Sequence, residues 1–132
     1  MTLAFMLDTD SVSYALRGRG DVGARILAQQ PSELCVSAIT VAELRFGADK
    51  RRAKRLHGLI DAFVRNVEIK PFDDVAAVEF GKLAAKLSAK GSPIGDFDTL
   101  IASHALALEL TLVTNNAKHF GRVPGLRIES WA

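Results

Sequence analysis

Four stretches of this sequence carry acids and amides that could serve catalysis: Asp8-Thr9-Asp10, Thr40 to Glu43, Asp96-Phe97-Asp98 and Thr114-Asn115-Asn116. Carboxylates gathered in one place repel one another and raise each other's pKa unless a cation neutralises them. Magnesium and manganese take oxygen ligands and are usually held by only a few carboxylates, with water and substrate phosphates completing the shell. Such an ion polarises a phosphodiester and activates a water, and a second ion supports the leaving oxygen. The chain offers no competing pattern: G-x-S-x-G, a Walker loop, G-x-G-x-x-G and H-E-x-x-H are all absent. His57, His104 and His119 are scattered.

Each stretch also has a purely structural reading. Asp8 suits the cap of a helix that follows a strand. Thr40-x-x-Glu43 has the spacing of a capping box, in which the glutamate reaches back to a backbone N–H. Asp96 or Asp98 would cap a helix beginning near Thr99, and Asn115-Asn116 would make a turn. Taken singly, caps and turns account for these residues. Their recurrence at one end of a sheet is what favours a shared site.

The elements that must deliver them are short and of alternating type. Ala4 to Leu7, Leu34 to Ser37, Val67 to Ile69 and Leu110 to Thr114 are apolar runs of the kind buried on both faces of a sheet, and a last strand falls within Leu126 to Ser130. Leu56, Leu59, Ile60, Phe63 and Val64 follow helical spacing. Phe80, Leu83 and Leu87 form a second stripe, stopped by Gly91 and Pro93. Leu100, Ile101, His104, Ala105 and Leu108 form a third, which makes His104 a packed, hydrogen-bonded histidine. Strands alternating with helices indicate an α/β fold with a largely parallel sheet, whose ligands bind at the carboxyl ends of the strands.

At 132 residues, 48% hydrophobic and 24% charged, the chain reads as one packed domain spanning 1–132. Its single cysteine, Cys35, excludes an internal disulfide and a cysteine-based zinc site, and its place in a strand marks it as an inert core residue. No apolar run approaches the roughly 18 residues of a membrane span. Leu3 to Leu7 lacks the cationic lead of a secretion signal, so the expectation is a soluble, cytoplasmic protein. The net charge of +2 permits a polyanionic partner without demanding one. Lys50-Arg51-Arg52-Ala53-Lys54-Arg55 packs five cations into six positions, either as a phosphate-binding patch or as a solvated helix start. Lys82, Lys86 and Lys90 read as a solvated face. The seven Phe, one Tyr and one Trp show no ladder for base stacking, and most read as core.

With these residues in view, the sequence resembles the PIN-domain ribonucleases. The motifs are Met6-Leu7-Asp8-Thr9-Asp10, Val41-Ala42-Glu43-Leu44-Arg45-Phe46-Gly47-Ala48 and Ile94-Gly95-x-x-Asp98-x-x-Ile101-Ala102. The ending, Leu112 to Asn116 with His119-Phe120, Val123 to Leu126 and Trp131, is similar to their VapC-type toxin branch. The resemblance implies a three-layer α/β/α fold around a mostly parallel sheet. It implies an Mg²⁺- or Mn²⁺-dependent endoribonuclease paired with an inhibitory antitoxin, a likeness to enzymes that cut transfer RNA, notably the initiator, near the anticodon, and a homodimer. By the same resemblance Asp8, Glu43 and Asp98 match the metal-binding acids. Asn116 stands where many members carry a fourth acid, so it is a weaker, neutral ligand or orients a water. Asp96 is an additional acid that supplies missing charge or caps a helix, and Thr114 bonds a carboxylate or the attacking water.

Two other readings stay open at this level. Asp8-Thr9-Asp10-Ser11-Val12 fits the D-x-D-x-[TV] pattern of haloacid-dehalogenase-type phosphatases, with Asp8 as nucleophile and Asp10 as acid. The length, the pair Asp8 and Asp10, and Asp73-Asp74 after a later strand would also suit a non-enzymatic receiver domain.

Overall fold

A computed structural model describes residues 2–132. The elements run β1 (Phe5–Leu7), α1 (Thr9–Leu16), α2 (Val22–Leu27), β2 (Leu34–Ser37), α3 (Ala38–Lys50), α4 (Lys54–Val64), β3 (Glu68–Lys70), α5 (Asp74–Ala89), α6 (Asp96–Ala107), β4 (Thr111–Val113), α7 (Ala117–Phe120) and β5 (Ile128–Glu129). The strands form one sheet in the order β3-β2-β1-β4-β5, and every pairing is parallel. A receiver domain has the order 2-1-3-4-5, so the receiver reading fails on topology.

Alternation along the strands sorts the core into two layers. Met6, Cys35 and Leu112 point to one face, where they pack with Leu83 and Leu87 of α5, Ile101 and Ala105 of α6, and Phe120 of α7. Leu7, Val36 and Val113 point to the other, with Val12 of α1, Val22 of α2, Leu44 of α3 and Ile60 of α4. The result is the three-layer α/β/α arrangement expected. Trp131 closes the second layer: it is 1% exposed and meets Phe5 edge-on, with ring centroids 5.0 Å apart.

Not every element behaves as its sequence suggests. Val67 to Ile69 reads as a strand buried on both faces, yet β3 is an edge strand whose Glu68 and Ile69 are exposed. Its apolar residues are too few to be covered by helices on both sides. The proposed capping box at Thr40 is also incorrect. Ser37 caps α3, its Oγ accepting from the Ile39 N–H at 3.0 Å, and Thr40 lies buried within the helix. Neither Asp96 nor Asp98 caps α6. Gly95 holds that position at φ 97°, ψ 153°, a conformation essentially reserved for glycine, and so sets the direction in which α6 leaves.

His104 is packed as its helical stripe predicts. It is 1% exposed, its Nδ1 lies 2.8 Å from Ser37 Oγ, and Phe72 meets its ring edge-on. Through Ser37 the ring joins α6 to the end of β2, while burial pulls its pKa down. Cys35 is buried, and the loss of water around it pushes its thiol up to about 12, which leaves it unreactive.

Candidate active site

The central strand β1 ends directly in Asp8, which is 3% exposed. Its carboxylate caps α1, accepting from the Ser11 N–H at 2.8 Å. The hydroxyl of Thr114, at the end of the neighbouring strand β4, also favours its charged form. These donors do not offset the removal of water. Burial, followed by smaller effects that include the charge of Asp10, raises Asp8 from 3.8 to about 6.

Glu43 and Asp98 arrive from two other elements. Glu43 lies half-buried in α3 and accepts from the Thr9 hydroxyl, Oγ1 to Oε1, at 2.6 Å. Its pKa is raised chiefly by burial, and the charges of Asp98 and Asp10 push it further. Asp98, in the first turn of α6, faces His119 of α7, with 3.3 Å between Oδ2 and Nδ1. Thr9, the partner of Glu43, lies inside the Asp8-Thr9-Asp10 stretch, but nothing in the sequence marks it as a donor. His119 as the partner of Asp98 is likewise legible only once α6 and α7 are packed together.

Asn116 belongs to the same end of the sheet but is tied differently. It caps α7, its Oδ1 accepting from the His119 N–H at 3.4 Å, while its own N–H donates to Thr114 Oγ1 at 2.9 Å. Thr114 therefore links Asn116 to Asp8. Asp10 and Asp96 sit exposed at the first turns of α1 and α6.

Among the described residues, no three His, Cys, Asp or Glu side chains are gathered round one point as they stand. Each of the three acids is bonded to its own neighbour instead. The donor chemistry nonetheless fits a hard divalent cation. All three groups offer carboxylate oxygens, and burial and mutual repulsion hold the charge of Asp8 and Glu43 in check, a cost that a cation relieves. Asp8 is the fixed member. Glu43 and Asp98 are only half-buried.

The surroundings combine cations and exposed aromatics. The five-cation run proves to be the last residue of α3, the exposed turn after it and the first residues of α4. A hollow of about 140 Å³ between α1, α3 and α4 is lined by Thr9, Glu43, Arg17 and Arg51 among others. A second hollow, of about 420 Å³, is lined by Ala42, Glu43, Phe46 and Phe97. These two phenylalanines are 66% and 54% exposed, the exceptions among aromatics that are otherwise buried or half-buried.

Comparison with known proteins agrees with this architecture. The family model described as "PIN domain" matches residues 5–126. The chain is 37% identical over 130 residues to the tRNA(fMet)-specific endonuclease VapC of Salmonella typhimurium, covering 98% of both chains. It is 39% identical over 130 residues to a ribonuclease VapC of Haemophilus influenzae, again covering 98% of both. Among solved structures, DNA-bound VapBC from Salmonella typhimurium superposes with a TM-score of 0.93 at 37% identity, covering 99% of this chain and 100% of that one.

Proposed function

The chain belongs to the PIN-domain family, and from that membership we propose that it is a VapC-type toxin: an endoribonuclease that hydrolyses transfer RNA and is restrained by a cognate antitoxin. The initiator transfer RNA, cut near the anticodon, is the proposed substrate, since a relative 37% identical carries that specificity in its name. The structural observation that carries the reading is that Glu43 of α3 and Phe97 of α6, next to Asp98, line one hollow, while buried Asp8 closes the central strand.

Asp8, Glu43 and Asp98 are proposed to hold Mg²⁺ or Mn²⁺. A divalent cation bound there lowers the pKa of water and neutralises charge that develops on phosphoryl oxygens. The protein supplies the rest. Asp8 is buried and held by the Ser11 N–H, so it is the fixed point of the site. Thr9 and His119 orient Glu43 and Asp98. Asn116 uses its carbonyl oxygen on α7, which leaves its NH₂ group as the donor available to a water. The reaction is a hydrolysis: water oxygen bonds to phosphorus in line, the bond from phosphorus to the leaving ribose oxygen breaks, and no covalent enzyme intermediate forms. Lys50, Arg51 and Arg52, at the far end of the helix that carries Glu43, are placed to attract the backbone.

The direct test incubates the purified, antitoxin-free protein with total transfer RNA in manganese and in chelator, and maps the cut ends. Cleavage of the initiator in manganese only, lost in Asp98→Asn, is expected. Intact RNA in manganese would overturn the ribonuclease reading.

A further inference from the structure

We infer that Phe46 and Phe97 form a platform on which one unpaired base of the RNA stacks beside the scissile phosphate. This rests on the ribonuclease reading and extends it to how the RNA is gripped.

The two rings come from different helices to the same place. Phe46 follows Glu43 by three residues in α3, which puts both on one helical face. Phe97 stands between Asp96 and Asp98 in the first turn of α6. Together with Ala42 and Glu43 they line the hollow of about 420 Å³. Every other phenylalanine of the chain is buried or half-buried. The two left in water are the two that flank the acids.

Charge decides what the hollow is for. Lys50 sits over Phe46, with its Nζ 5.8 Å from the ring centroid. On the other side of Glu43, Arg17 and Arg51 line the second hollow. An aromatic face with a lysine at its edge and arginines in the neighbouring hollow, next to carboxylates suited to a metal, matches a strand whose base stacks while its phosphates meet positive charge. An apolar protein segment would use the rings but not the cations.

The test is binding of a fluorescently labelled initiator anticodon stem-loop, followed by anisotropy in chelator so that cutting plays no part. Phe46→Ala and Phe97→Ala are each expected to weaken binding by about five- to a hundredfold, the usual effect of losing one stacked base. Phe46→Trp should restore it. In an RNA made abasic at the stacked loop position, wild type should bind more weakly and the alanine variants no more weakly still. Both rings are exposed, so melting temperatures should stay near wild type, and circular dichroism checks this. Unchanged RNA affinity in the alanine variants overturns the platform, and does so most plainly if the same variants lose binding to an apolar antitoxin peptide. Failure of wild type to cut transfer RNA in manganese is a separate result, which sinks the ribonuclease reading instead.

Discussion

The Thr114 hydroxyl, at the end of β4, favours the charged form of Asp8 at the end of β1, and its oxygen accepts the backbone N–H of Asn116. One small side chain thereby fixes both the buried acid of the central strand and the start of α7. A hydrogen bond to a charged group is worth about 1.5–3 kcal/mol. Thr114→Val should therefore lower the cleavage rate by about ten- to a hundredfold and move the acid limb of its pH profile upward, because a donor that lowers the Asp8 pKa is lost. Thr114→Ser should recover most of the rate. A valine variant with an unaltered pH profile would contradict this linkage.

Asp8 makes the metal-free protein sensitive to pH in a definite direction. Its pKa in the folded chain, about 6, lies above the ordinary 3.8. The folded state therefore holds the proton more tightly, and stability from this group is full below pH 4 and is lost as pH rises through 6. The shift of about two units corresponds to at most about 3 kcal/mol at neutral pH. Asparagine caps helices as well as aspartate does. Asp8→Asn should thus abolish cleavage yet melt several degrees higher than wild type at pH 7.5 in chelator, with the gap closing toward pH 4. A variant that melts lower than wild type at pH 7.5 would count against the electrostatic cost assigned to Asp8.

If Asp8, Glu43 and Asp98 share a cation, adding manganese should raise the melting temperature of wild type at neutral pH and do so much less for Glu43→Gln or Asp98→Asn. Cleavage should fall by more than the 10–100-fold that losing an outer-shell partner costs. Equal thermal shifts in wild type and variants would remove that residue from the metal site.

Asp10 separates hydrolysis of RNA from phosphatase chemistry. It is exposed, and it acts on Asp8 and Glu43 only through its charge. Asp10→Asn should leave RNA cleavage substantially intact. The haloacid-dehalogenase reading, with Asp10 as its acid, requires hydrolysis of small phosphate esters that this substitution abolishes.

Ser37 does structural work for the same end of the sheet: it caps α3 and bonds His104. Ser37→Ala removes the cap, worth about 1 kcal/mol, and leaves a buried ring nitrogen unsatisfied, worth about 1–3 kcal/mol more. The melting temperature should drop clearly while cleavage well below the melt remains close to wild type. A large rate loss in a folded variant would place Ser37 in the chemistry instead.

The alternation of apolar strands with amphipathic helices made the α/β layering legible in the sequence, and β2 falls at its expected bounds. Acids following strands β1 and β2 pointed to the carboxyl end of the sheet, where Asp8 and Glu43 lie. Partnerships across elements were not legible. Thr40 and Glu43 have the spacing of a cap, but packing α1 against α3 brings Thr9 to Glu43 and leaves the capping to Ser37. Phe46 and Phe97 look like core residues because pattern alone does not say which apolar positions a helix leaves uncovered. Val67 to Ile69 looks doubly buried because an edge and a central strand differ in their neighbours rather than in their own residues.

The order of the strands bears on when the protein becomes able to act during its own synthesis. β1 precedes both β2 and β4 in the chain, yet it sits between them, and β4 begins only at Thr111. Until that late stretch emerges, Asp8 has neither its neighbouring strand nor Thr114, and Asp98 lacks His119. If Asp8 and Asp98 hold the cation, a chain that stops before β4 should not cut, however well its earlier elements fold.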